Sequence, residues 1–207
     1  MNDLRTAAIN QSLQRTISRA RLGKYLVATD ENLDAAIGLY ERNTRLSEAL
    51  YTTLQGLEIC LRNSIDYEMS AVYGCDWLTN GKPPLQQDAH MAIQDAIAKL
   101  GNPKQGDIVA ELKFSFWVGL LAQRYDASLW RNALHKGFKA KTGKKRKDVH
   151  GRMNALRRFR NRVAHHEPIF GSALQMHAEA LEAIEWMCLD THAWVSACSR
   201  FNEVYNS

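Results

Sequence analysis

A short stretch near residue 160 combines an arginine, an asparagine and two adjacent histidines. Arg160 is followed directly by Asn161, and His165 and His166 stand just ahead of Glu167. Arginine carries a permanent charge and a planar fork of donors that suits a phosphate group. Histidine transfers protons well because its pKa lies near neutrality. These residue types therefore point to acid–base chemistry at a phosphate.

The element that must position these residues is a helix. Apolar residues recur every three or four positions and predict an amphipathic helix over 148–166. On the helical projection Arg160 falls within the apolar face, where a charge is costly unless it is paired or faces a cleft. A structural role also remains open: Arg160 pairs with Glu58 or another acid, and His165 caps the end of the helix as a cation.

The spacing of the histidines argues against a metal site. Adjacent residues on a helix point about 100° apart, so His165 and His166 would rarely reach one ion. Zinc hydrolases use two histidines four residues apart, and this sequence has no such pair. The four cysteines form no Cys-x-x-Cys pair, and we expect reduced thiols. We therefore expect neither a metal nor another cofactor.

The rest of the chain also has the spacing of helices and shows no strand alternation. The predicted helices are a short one around 33–40 with Asp30 as its cap, a long one over 46–72, and further ones over 86–100, 107–121, 128–136, 148–166, 172–188 and 190–204. Asp107, Ser172 and Asp190 are the predicted caps of three of them. The fold class is therefore all-α.

The composition is that of one folded domain. The chain has 207 residues, of which 45% are hydrophobic and 24% charged, and this excludes disorder, collagen and coiled-coil fibres as descriptions of the whole. We expect a single domain over 1–207, with 1–25 as a loosely attached N-terminal helix. The N-terminus is polar, and the most apolar window, 114–122, is too short to span a bilayer. We expect a soluble, cytoplasmic protein with no membrane association.

Positive charge is concentrated in one segment. Residues 136–162 contain twelve lysines and arginines and one acidic residue, whereas the whole chain has a net charge of only +5. Such a segment attracts polyanions, because each phosphate that it neutralises releases a counterion. A solvated loop over 136–147 is the plainer interpretation. The candidates for contacts with a phosphate backbone are Lys144, Lys145, Arg146, Lys147, Arg157 and Arg158.

Residues 160–169, RNRVAHHEPI, resemble the signature of the Abi-like (AbiD/AbiF-type) abortive infection proteins of the HEPN superfamily. The family signature is an arginine, a polar residue, three variable residues and a histidine. A second similar element is EICLRN at 58–63, and the similarity extends to Leu39, Tyr40 and Asn43 and to 114–118. It covers about 20–190.

The resemblance implies both a fold and an activity. The fold is an HEPN-like helical bundle with additional peripheral helices, in which the signature helix packs against the helix that carries Glu58 and Arg62. Active members of the superfamily are metal-independent endoribonucleases, and dimerisation brings two signature histidines to a shared cleft. We therefore expect RNA as substrate and a homodimer as the assembly.

Carried onto this sequence, the signature assigns catalytic roles to three residues. His165 is expected to act as general base or acid, Arg160 to hold the scissile phosphate, and Asn161 to orient the phosphate or the histidine. Glu58 is expected to support Arg160, although Glu58 and Arg62 can also form a simple pair within one helix. His166 is the second candidate among the histidines for a catalytic or phosphate-contacting role.

The sequence admits three interpretations. The first is an endoribonuclease that acts in phage defence or as a growth-arresting toxin, with an antitoxin or regulatory protein as a further partner. The second is a non-catalytic module of the same fold that binds RNA or a protein partner. The third is a purely structural helical protein with an incidental basic loop. Tyr125, Trp130 and Phe138 are aromatic enough to stack on bases, but their spacing suits core packing better.

Overall fold

The computed structural model describes residues 5–138 and 144–207. The α-helices in these ranges are α1 (Ala7–Ile17), α2 (Arg19–Val27), α3 (Leu33–Tyr73), α4 (Gln87–Leu100), α5 (Gln105–Glu111), α6 (Phe114–Gly119), α7 (Arg146–Ala164), α8 (Ala173–Met187), α9 (Leu189–Cys198) and α10 (Phe201–Asn206). Gln123–Tyr125 and Leu134–Gly137 form 3₁₀ turns, and Asp126–Trp130 form a π turn. The described ranges contain no strand, and the predicted all-α class is confirmed.

One helix of 41 residues, α3, is the axis of the structure. The sequence predicted two helices here with Asp30 as the first cap, and both details are wrong. Asn32 caps α3 by accepting a hydrogen bond from the amide of Ala35, while Asp30 lies in the preceding turn with φ of 51°. The polar residues between the two predicted helices include neither proline nor glycine, so nothing in that segment breaks the helix.

The core divides into three clusters arranged along α3. The N-terminal end of α3 packs against α2 around Leu22 and Tyr25. Its middle packs against α7, α8 and α10 around Phe159 and Phe201. Its C-terminal half contacts the largest cluster, to which α4–α9 contribute and which includes the buried Trp117. The buried side of α3 therefore contributes to all three clusters of the core.

The N-terminal segment is more firmly attached than the sequence predicted. Leu22, Tyr25 and Leu26 of α2 are at most 3% exposed, so the expectation of a loosely attached helix over 1–25 does not hold for α2. The apolar residues that cover α3 here are spread over two helices that break at Ser18, whose φ of 79° turns the chain. Residues 1–4 lie outside the described ranges.

Helix boundaries in the second half confirm some predictions and correct others. The helices over 86–100, 148–166 and 172–188 are present within two residues of their predicted ends. The segment 107–121 divides into α5 and α6, and Asp107 lies inside α5, where its carboxylate accepts the amide of Lys104. The segment 190–204 divides into α9 and α10, and Cys188 rather than Asp190 caps α9.

The aromatic residues of the 123–138 segment belong to the core. Tyr125, Trp130 and Phe138 are at most 8% exposed, which confirms that they pack rather than stack on a ligand. The predicted helix over 128–136 is replaced by the π and 3₁₀ turns. Among the described helices, none combines the length and the apolar character needed to cross a membrane.

Replacing Gly56 with alanine is expected to destabilise the protein. A Cβ at Gly56 would lie 2.6 Å from Cγ2 of Val195, and Val195 is fully buried on α9. Overpacking of this kind costs about 1–3 kcal/mol, partly offset by the roughly 1 kcal/mol that alanine gains over glycine in a helix. Urea denaturation should therefore show a lower free energy of unfolding.

Gly151 supplies the matched control for that change. It also lies inside a helix, but no atom is within 4 Å of the position that its Cβ would take. Gly151→Ala should raise the free energy of unfolding by up to about 1 kcal/mol, because only the helix propensity changes. Equal effects of the two substitutions would contradict the close approach of α9 to α3.

Candidate functional site

The end of α7 has the hydrogen bonds of a Schellman turn. The amide of Glu167 donates to the carbonyl of Arg162 at 2.9 Å, and the amide of His166 donates to the carbonyl of Val163 at 3.0 Å. His165 occupies the cap position, and His166 takes the left-handed conformation with φ of 56°. Glycine usually occupies that left-handed position because a Cβ is strained there. The two adjacent histidines therefore leave the helix in different directions.

Two distant side chains fix this turn against the rest of the molecule. Arg21 of α2 donates to the carbonyl of His166 at 2.9 Å. Asn43 of α3, which is 3% exposed, accepts the amide of Ile169 at 2.7 Å and donates to the carbonyl of Glu167 at 3.3 Å. Asn43 thus satisfies backbone groups that burial would otherwise leave unpaired. The position of His166 is consequently tied to both α2 and α3.

An open groove of about 880 Å³ separates α3 from the end of α7. From α3 it is lined by Thr44, Ser47, Glu48, Tyr51, Thr52, Leu54, Gln55, Glu58, Ile59 and Arg62, and from α7 and its end by Arg160, Val163, Ala164 and His166. Two guanidinium groups, two carboxylates and one imidazole therefore share one concave surface. Convergence of titratable side chains in a groove of this size is typical of a ligand-binding or active site.

The contact predicted between Glu58 and Arg160 is present in this groove. Nη2 of Arg160 lies 3.3 Å from Oε2 of Glu58, and the two side chains are 41% and 25% exposed. The buried face of α7 consists of Val149, Met153, Leu156 and Phe159. The projection places Arg160 on the same side of α7, and there its long side chain carries the charge out to the groove, where it is paired. An arginine held there by a carboxylate remains accessible to an anion.

Arg62 contributes a second guanidinium to the same surface. Its Nε is buried and has no hydrogen-bond partner among the described residues. The described residues also include no ion pair between Arg62 and Glu58 within 4.0 Å, so Glu58 pairs across the groove with Arg160 and not along its own helix. A buried donor without a partner is unfavourable, so this guanidinium carries a local energetic cost.

The structure brings only some of the sequence-predicted residues together. Arg160, Glu58, Arg62 and His166 all line the groove. His165, the residue that the family signature assigns to proton transfer, is exposed and is not part of the groove lining. Asn161 is partly exposed and also lies outside the lining. The imidazole that faces the groove is thus that of His166, which was the second choice from the sequence.

Some side chains of the predicted basic surface are exposed, and others contact neighbouring residues. Lys145, Lys147 and Arg158 are exposed. Lys144 lies over the ring of Trp186, with its Nζ 4.5 Å from the ring centre. Arg157 donates to the side chain of Asn154 within α7. The exposed residues are therefore the better candidates for contacts with a polyanion.

Arg146 has a structural role that the sequence did not predict. It donates to the carboxylate of Asp126 at 3.1 Å and to the carbonyl of Leu121 at 2.9 Å. Arg146 is also the first residue of α7, so the last two residues of the predicted basic loop over 136–147 belong to the helix. Residues 139–143 of that loop lie outside the described ranges.

Two residues of the site were not predicted as such. Arg21 contacts the histidine turn across 145 positions of sequence, and no local pattern marks it. The sequence marks Asn43 only through the family resemblance. Its signal is a polar side chain inside the apolar spacing of α3, where an unpaired amide is costly and therefore needs a partner.

The class that these observations define is an all-α protein with a mixed-charge groove beside a helix end. In the described ranges no group of three or more histidine, cysteine or acidic side chains is arranged to hold a metal ion. No protein-family model, no curated protein and no solved structure matches this chain.

Proposed function

We propose that this protein is a metal-independent endoribonuclease of the HEPN type. The observation that carries the proposal is the convergence of Arg160, Glu58, Arg62 and His166 on one open groove of about 880 Å³. Two arginines suit a phosphodiester, and a histidine beside them suits proton transfer. The signature at 160–169 supports the same conclusion.

RNA carries its own nucleophile, so the reaction needs few protein groups. The 2′-oxygen attacks the adjacent phosphorus, the bond from phosphorus to the 5′-oxygen breaks, and a 2′,3′-cyclic phosphate and a 5′-hydroxyl result. In this scheme His166 either takes the proton from the 2′-hydroxyl or gives one to the leaving 5′-oxygen. Arg160 and Arg62 stabilise the charge on the phosphorane. Glu58 positions Arg160.

A homodimer supplies the second proton-transfer group in this proposal. One groove contains one imidazole, and cleavage needs both a base and an acid. A second copy of the chain would bring its own histidine turn to the shared cleft, as the family resemblance implies. His165, which is exposed, would then be free to face the partner. Asn161 would assist at the edge of the same cleft.

The biological role that fits this activity is growth arrest. A nuclease with weak sequence preference, acting in the cytoplasm, would serve as a toxin or as an abortive-infection defence against phage, restrained by an antitoxin or regulatory protein. The exposed Lys145, Lys147 and Arg158 would add salt-dependent attraction for the RNA backbone without selecting a sequence.

The test is cleavage of end-labelled RNA by the purified protein in EDTA. The wild type should cut and leave 2′,3′-cyclic phosphate ends, and RNA whose 2′-hydroxyls are methylated should stay intact because the nucleophile is blocked. Loss of wild-type activity in EDTA, or products with a 3′-hydroxyl, would rule out this chemistry.

A non-catalytic RNA-binding module is the second candidate. It is favoured by the Glu58–Arg160 pair, which engages Nη2 of the guanidinium, and by the single imidazole in the described lining of the groove. It predicts the same salt-dependent RNA binding but no turnover. Binding with intact RNA over a long incubation at high protein concentration would favour it over the nuclease.

A further inference from the structure

A second cavity of about 540 Å³ adjoins the candidate groove. The two share Thr52, Gln55 and Ile59 on α3, so they are continuous around the surface of that helix. The second cavity is closed on its far side by α9, where Trp194 lines it, and Tyr67 of α3 lines it as well. The proposed reaction does not use this surface.

The aromatic side chains of this cavity are unusually exposed. Trp194 is 64% and Tyr67 is 72% exposed. The other four tryptophans of the chain, Trp77, Trp117, Trp130 and Trp186, are at most 8% exposed. Tryptophan is buried on average, because its large apolar surface gains most from leaving water. A ligand that covers this exposed indole would therefore remove apolar surface from water, which favours binding.

The remaining lining indicates what kind of ligand fits. Gln55, Asn63, Ser64 and Thr191 offer amide and hydroxyl groups. Glu68 is the only charged residue in the lining that the structure describes, and it is 7% exposed. Phosphate groups find no cation here. Flat apolar faces with polar groups between them match a nucleobase, which has a π-face for stacking and a hydrogen-bonding edge.

The distance to the phosphate-binding arginines fits a neighbouring nucleotide. Arg62 lines the groove, and Tyr67 lines the cavity five residues further along the same helix. At 1.5 Å per residue this is about 8 Å along the helix axis. A strand whose phosphate lies at Arg62 can therefore bring an adjacent base to the cavity that Tyr67 and Trp194 line.

We propose that this cavity is a nucleobase subsite that takes an unstacked base of single-stranded RNA, with Trp194 and Tyr67 as its stacking surfaces. This inference rests on the proposed function, because it places the base next to the phosphate at which cleavage would occur. A base inside a duplex is paired and stacked, so it cannot enter. The subsite thus selects single-stranded over double-stranded RNA.

The fluorescence of Trp194 provides the test, because this indole alone among the tryptophans is exposed. The full chain is titrated with a fully 2′-O-methylated single-stranded hexanucleotide, which cannot be cleaved, and in parallel with the same sequence as a duplex and with polyphosphate. We expect quenching of the long-wavelength emission by the single strand, weaker quenching by the duplex and none by polyphosphate. Trp194→Phe should remove the quenching.

The binding constant of the single strand gives a second readout. Trp194→Ala should weaken binding by about tenfold to a hundredfold, the usual effect of removing one stacked base–aromatic contact. Leu189→Ala is the matched control, because Leu189 is also on α9 and 64% exposed but does not line the cavity. It should bind as the wild type does.

The outcomes separate this inference from the nuclease proposal. Quenching that persists in Arg160→Ala, without cleavage by the wild type, supports the subsite and rejects the nuclease. Cleavage with unchanged binding in Trp194→Ala overturns the subsite alone. Emission that changes with protein concentration but not with RNA also overturns it, because a second copy of the chain then covers the cavity.

Discussion

Replacing His166 with glycine is expected to remove most RNA cleavage and, at the same time, to stabilise the protein. His166 has φ of 56° at a position where Schellman turns favour glycine. Relief of this strain should raise the free energy of unfolding by about 1 kcal/mol. Loss of the imidazole from the groove should lower the cleavage rate by roughly 10²–10⁴-fold, the usual contribution of a general acid or base.

Opposite changes in stability and activity in His166→Gly would show that the histidine is present for its chemistry and not for the fold. A substitution that merely disturbed the fold would lower both, whereas a residue kept for its chemistry at a strained position shows a gain in one and a loss in the other. Urea denaturation measures the first quantity, and single-turnover cleavage of labelled RNA measures the second.

Two control substitutions make the assignment to His166 specific. Asparagine also tolerates the left-handed conformation but transfers no proton at neutral pH, so His166→Asn should be as inactive as His166→Gly. His165→Ala should lose less than about tenfold if the proton transfer belongs to His166. If His165→Ala instead shows the larger loss, His165 is the histidine that transfers the proton and His166 is not.

The second large effect is expected from Arg160. Arg160→Ala should lower the rate of cleavage by about 10²–10³-fold, because it removes a preorganised donor from the charge that develops in the transition state. Arg160→Lys should recover little of this, since an ammonium cannot reproduce the planar fork of a guanidinium. Stability should change by less than about 1 kcal/mol, because the pair with Glu58 is partly exposed.

Arg158 is the matched control for the loss of charge on α7. It is exposed two residues before Arg160 and does not line the groove. Arg158→Ala should weaken RNA binding slightly and in a salt-dependent way, with the rate at saturating RNA unchanged. Equal losses in the two variants, both recovered at low salt, would mean that Arg160 only attracts the polyanion and does not act on the scissile phosphate.

Glu58 and Asn43 show how the groove depends on residues that never touch the scissile bond. Glu58 holds one side of Arg160, and Asn43 holds the backbone that follows His166. Both lie on α3, so the two sides of the groove share one rigid support. A long helix with several packed faces limits the movement of a site built on it, and this rigidity is what positioning of a phosphate requires.

The amino-acid sequence by itself determined the all-α class, the helices α4, α7 and α8 and the presence of a chemically unusual helix end at 160–167. Each of these follows from local spacing and composition, because a helix is defined by residues three and four apart. The need of Arg160 for a partner was also predictable, since a charge near an apolar face is costly without one, but spacing alone left open whether Glu58 or another acid supplies it.

Only the tertiary structure decided which histidine faces the groove. His165 and His166 are adjacent in sequence, and their directions depend on where α7 ends and on the left-handed backbone of His166. A shift of one residue at a helix end rotates a side chain by about 100°, and spacing does not resolve ends to one residue. The bonds that settle this turn come from Arg21 and Asn43. Such contacts, between residues more than a hundred positions apart, exist only after the chain has packed.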